Sequence, residues 1–180
     1  MTQYLGLQDI INSVEQSLEN KNYISALALA LTIPDKCGKI EYPNINGSKR
    51  RYIDWYNTWC YLPDSDTSEP QLPDADGNMI YQLRCSVLHD NSTELDYNKL
   101  EEKNKLDEFE LEITDDNKWC YSVFAAGVFN NGESCHMRIR VIDLCRMICY
   151  GASIYYKKNA EKVDQSNNIK IVDYRHMFKA

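Results

Sequence analysis

The spacing of apolar residues changes period within this chain, and that change sets its fold class. Up to about residue 90 apolar side chains recur every three to four residues. From Phe109 they recur at every second position, and beyond Asp143 the helical spacing returns. A helix repeats its faces about every 3.6 residues and a strand every two, so the pattern separates helical stretches from strands. The expectation is an α+β chain: a mainly helical bundle of about five helices, with a three-stranded antiparallel meander before the last long helix.

The helices are expected at residues 5–20, 22–32, 48–60, 77–89 and 143–159. Leu7, Ile10, Ile11, Val14 and Leu18 stripe the first. The second is apolar nearly all round and reads as buried, with Pro34 ending it and residues 33–48 forming an ordered connection. Tyr52, Trp55, Tyr56 and Trp59 fall on one face of the third, and core packing is the first use for such a stripe, stacking on bases the second. The third and fourth helices are also the candidates for a dimer surface. Prolines at 63, 70 and 73 make residues 62–76 an acidic loop that ends in Asp76, a good N-cap for the fourth helix. Residues 94–107 are charged and weakly periodic, a loop or a surface helix.

The meander is expected over residues 108–141. Phe109, Leu111 and Ile113 alternate with Glu108, Glu110 and Glu112; Trp119, Tyr121 and Val123 follow after a turn at 115–117; Cys135, Met137, Ile139 and Val141 alternate with His136, Arg138 and Arg140. Glu110 and Glu112 suit cross-strand pairing with Arg138 and Arg140. Asp143 is the expected cap of the last helix. In the tail, Ile169, Ile171 and Val172 suit an edge strand or a docking patch.

A chain of 180 residues with 43% hydrophobic content suits one domain spanning residues 1–180 around one core. No window approaches the roughly 18 apolar residues of a membrane span, and the opening residues lack a basic and apolar leader, so a cytoplasmic chain without membrane contact is expected. The seven cysteines are odd in number and scattered singly, without a CxxC pair. They read as reduced thiols rather than a disulfide framework or a zinc site.

A net charge of −7 opposes nucleic-acid binding on average, but the acidity is local. Residues 63–118 carry five positive and sixteen negative charges, whereas residues 119–180 carry nine and five. Phosphate-loop, nucleophile-elbow and metalloprotease signatures are absent from the sequence, and no cofactor is expected. Three histidines, His89, His136 and His176, are the side chains able to exchange protons near neutral pH.

His89 lies five residues after Arg84 at the end of the fourth helix. Five residues of α-helix turn through about 140°, so the two converge only where the helix ends or where a second copy supplies one of them. Together they suit RNA cleavage without a metal: histidine moves a proton to or from the 2′-hydroxyl or the leaving oxygen, and arginine steadies the charge growing on phosphate. The plainer reading sets His89 against the helix dipole and pairs Arg84 with an acidic neighbour.

Arg84-x4-His89 in a small, mostly helical chain resembles the R-x4-6-H motif of the HEPN superfamily, which includes ribonuclease toxins and antiviral effectors. The lead-in through residues 26–43 and the run from Leu83 to His89 are similar to uncharacterised bacterial proteins placed near that superfamily. The likeness covers the four N-terminal helices and, loosely, the last, with the strands as an addition. It implies a homodimer in which Arg84 and His89 of both chains line one cleft and cleave or bind RNA. Active members often place Asn, Asp or His directly after the arginine, where this chain has Cys85. Cys85, Ser86 and Asp90 are the flanking candidates for support.

Two other classes stand beside this one. The chain reads also as a noncatalytic interaction or regulatory module of a toxin–antitoxin or defence system, its acidic middle contacting a basic protein partner. Alternatively His136, Arg138 and Arg140 form an anion site on one strand, unless Glu110 and Glu112 neutralise it.

Overall fold

The computed structural model describes residues 2–61, 76–90, 108–113, 124–127, 136–166 and 168–173. The aromatic stripe organises them. Tyr52, Trp55 and Tyr56 are fully buried on α4 (Ser48–Trp59), which makes them core, and Trp59 is half-buried beside them. Trp55 and Trp59 meet the ring of Tyr155 edge-on at 5.7 and 5.1 Å.

Around α4 lie α3 (Ile33–Glu41), α5 (Gly77–Cys85) and α6 (Val141–Asp164), and α1 (Leu7–Glu19) and α2 (Tyr23–Ala30) complete the helical layer against α6 and each other. Close approach to α4 is made through glycine. A Cβ on Gly38 of α3 would come within 2.6 Å of the Arg51 carbonyl oxygen, and one on Gly77 of α5 within 2.7 Å of the Ile53 oxygen. These two contacts fix α3 and α5 against carbonyls two residues apart on one helix.

The expected connection at residues 33–48 is in fact largely helical, since α3 spans Ile33–Glu41. Pro34 opens that helix instead of closing the previous one. The first turn of a helix has no intrahelical use for an N–H, so proline is at home there. The fourth helix is also revised: α5 stops at Cys85 and the chain continues as a π-helical turn over Ser86–Asp90. Asp76 caps α5 as expected, its carboxylate accepting from the Met79 amide at 3.0 Å.

The three strands do not make a meander. β2 (Glu108–Glu112) and β3 (Phe124–Gly127) flank β4 (His136–Arg140), with β2 parallel and β3 antiparallel to it. Consecutive β2 and β3 are therefore not neighbours. β4 takes the centre with buried Met137 and Ile139, which stand opposite Phe109 and Leu111. The expected middle strand at Trp119, Tyr121 and Val123 lies outside the described residues.

Val141 begins α6 rather than ending a strand. The N-cap is Arg140, and Asp143, expected to cap, sits in the first turn with its Oδ2 3.2 Å from Arg140 Nη1. Asn159, the expected end, departs from helical angles, but the helix resumes to Asp164. β1 (Thr2–Leu5), not expected from the sequence, pairs antiparallel with β5 (Ile169–Val172), so the apolar tail patch is an edge strand. The five cysteines among the described residues are free thiols. Burial pushes Cys149 up to about 12, as befits a packing group.

Candidate functional site

The site grows from the C-terminal end of α5. Leu83 is buried in the core, which places Arg84 on the rim beside it. An ideal α-helix would point residue 89 away from residue 84. The π turn has a wider, i→i+5 repeat, and it returns His89 to the Arg84 side. Arg84 Nη1 and His89 Nε2 are 2.6 Å apart within one chain. The motif therefore converges without a second copy.

The other edge of the guanidinium is held from a distant segment. Arg84 Nε donates to Oδ2 of Asp35 at 3.0 Å, and Nη2 forms an ion pair with the same oxygen at 3.0 Å. Asp35 lies in the first turn of α3, one turn before Gly38, so the tight α3 to α4 contact positions this carboxylate. Tyr81, one turn before Arg84, carries the Arg84 guanidinium 5.9 Å and the Lys49 ammonium 6.0 Å from its ring centre. Its ring in turn meets Tyr52 edge-on at 5.3 Å. A half-buried patch thus joins α3, α4 and α5.

Burial pushes the Asp35 carboxyl above its ordinary value, and the attraction of Arg84 offsets this only in part. For Arg84 burial acts downward, but Asp35 and Cys85 together outweigh it and leave the guanidinium above its ordinary value. The cation is the fixed member of the pair. Arginine has five N–H donors and no acceptor, so the ring nitrogen facing it must supply the lone pair. The geometry accordingly fits a neutral His89 with its hydrogen on Nδ1.

The flanking candidates divide. Cys85 is half-buried, Ser86 is buried at the start of the π turn, and Asp90 ends that turn. The alternative anion site is not an open one at either arginine. Arg138 donates to Glu110 Oε2 from Nε at 3.0 Å and from Nη2 at 2.9 Å, the cross-strand pair expected, while Arg140 faces Asp143. His136 stands on β4 opposite Glu108, and His176 lies outside the described residues.

Sequence reasoning missed Asp35 and Tyr81. Tyr81 was legible as the residue one turn before Arg84 on the same helix. Asp35 is 49 residues from its partner, and its only signal was a proline followed by an acidic residue, the mark of a helix start. Among the described residues no three His, Cys, Asp or Glu side chains gather as metal ligands, and no helix is long and apolar enough to cross a membrane. Comparison of the chain with protein-family models, with curated proteins and with solved structures gives no match.

Proposed function

We propose that this protein is a cytoplasmic, HEPN-like endoribonuclease that needs no metal and works through Arg84 and His89. The observation that carries the reading is the 2.6 Å contact between their side chains, in a chain whose sequence already carries the R-x4-H spacing. In the reaction, the 2′-oxygen of a ribose attacks the adjacent phosphorus while its proton passes to a histidine. The P–O5′ bond breaks, and the leaving oxygen takes a proton, giving a 2′,3′-cyclic phosphate and a 5′-hydroxyl. Arg84 donates to the phosphoryl oxygens as negative charge builds on them. In a homodimer two copies of His89 serve, one as base and one as acid.

The test is incubation of purified protein with a mixed RNA pool in EDTA, read on a gel for wild type, His89→Ala and Arg84→Ala. Cleavage by wild type that drops ~10²–10⁴-fold in both variants supports the reading. An inert wild type sinks it.

A second reading keeps the fold without the chemistry, as a noncatalytic module of a toxin–antitoxin or defence system. It is favoured by the β1 and β5 ribbon, which leaves Tyr4, Ile169, Ile171 and Val172 exposed as a surface for a protein partner. Copurification of a partner with an RNA-inert protein is its signature.

A further inference from the structure

Resting on the nuclease reading, one feature of the site calls for a residue beyond the arginine and the histidine. The nitrogen of His89 that would accept a proton is Nε2, and Nε2 already accepts from Arg84 Nη1 at 2.6 Å. A lone pair engaged in that way does not abstract a proton from a hydroxyl. On the guanidinium, Nε and Nη2 face Asp35 Oδ2, each at 3.0 Å, and Nη1 faces His89.

We infer that Asp35 is the positioning residue of this site: it holds the Nε and Nη2 edge of Arg84 as a pivot, from which Nη1 passes from His89 to a bound phosphate and uncaps the base. A phosphate is a charged acceptor and imidazole a neutral one, so the phosphate wins the shared donor. The base is thereby freed only when the substrate's phosphate is in place. Asp35 suits the pivot because α3 is locked to α4 at Gly38 and because both of its contacts use a single oxygen, Oδ2, about which the guanidinium can swing. A carboxylate that merely tied α3 to α5 would contribute to stability and leave the imidazole of His89 indifferent to it.

The test reads the imidazole directly. In the full-length 15N-labelled chain, at a pH where the histidines are neutral, His89 is assigned by its loss in His89→Gln and its two ring nitrogens are followed by NMR. In wild type the hydrogen is expected on Nδ1, and adding inorganic phosphate is expected to shift the Nε2 resonance as the cap lifts. In Asp35→Asn the resting tautomer is expected to become mixed, and the phosphate response to shrink. Arg84→Lys, which keeps the charge but cannot hold Asp35 and His89 at once, is expected to behave likewise and serves if the first variant fails to fold. An unchanged His89 tautomer in both variants, or a wild type indifferent to phosphate, overturns the inference. Cleavage is scored separately: kcat in Asp35→Asn should fall ~10²-fold with KM little changed. If wild type cleaves no RNA while the tautomer and phosphate responses are present, the nuclease reading fails and the pivot stands as the property of an anion site.

Discussion

Arg84 and Arg138 are bound to their carboxylates in nearly the same way. Each uses Nε and Nη2 on one oxygen at 2.9 to 3.0 Å, Arg84 on Asp35 and Arg138 on Glu110. Their surroundings differ. The Arg84 and Asp35 side chains are 19% and 26% exposed, against 38% and 51% for Arg138 and Glu110. Arg84 also bridges to a histidine and rests near an aromatic ring, whereas Arg138 serves one cross-strand pair. The lesson is that a shared contact geometry does not make a shared role. Water screens the strand pair to little consequence, while the half-buried pair holds a titratable group in place.

That contrast can be broken or sharpened by experiment. The largest effect is expected from Arg84→Lys, which keeps the charge but loses the fork: RNA cleavage should fall ~10²-fold or more, measured as an initial rate. Cleavage that survives this change would put Arg84 on a level with Arg138. Next is Gly38→Ala. Its Cβ would lie 2.6 Å from a backbone oxygen of α4, which cannot move aside as a side chain can, so ~1–3 kcal/mol of stability should be lost in urea unfolding. Because α3 carries Asp35, cleavage by the folded fraction should fall as well. An unchanged midpoint would mean that α3 is not locked where Asp35 needs it.

A smaller effect is expected in the pH dependence of stability. Burial raises Asp35 above its ordinary 3.8. An acid with a higher pKa in the folded chain favours folding below its unfolded value, and that contribution is lost as the pH rises through the folded value. Wild type should therefore lose stability relative to Asp35→Asn as the pH climbs above about 4, the range of free carboxylates. Denaturation of both proteins across that range checks the sign; a flat or opposite difference contradicts it. The smallest effect belongs to Arg138→Ala, at most ~1 kcal/mol and no change in cleavage.

The sequence made much of the helical layer legible, because Tyr52, Trp55 and Tyr56 fall on one helical face and Asp76 has the chemistry of a cap. The pair Arg84 and His89 was legible as a spacing, but not as a contact. Side-chain periodicity assumes a regular helix, and a single π turn changes which residues face each other without leaving a mark in the pattern. Pro34 was ambiguous for a different reason: the same ring that ends one helix is well suited to begin the next. That ambiguity hid α3, and with it Asp35. In the sheet, alternation identified the buried faces of β2 and β4 but says nothing of which strands are neighbours, and the apolar row of Met137 and Ile139 drew β4 to the centre.

The most direct test of a site at Arg84 and His89 is cleavage of one mixed RNA pool in EDTA by wild type, His89→Ala and Arg138→Ala side by side. Wild type and Arg138→Ala are expected to cleave at the same rate, and His89→Ala to leave the pool intact. A wild type that leaves the RNA whole, or a loss in Arg138→Ala equal to that in His89→Ala, would contradict a catalytic site at the end of α5.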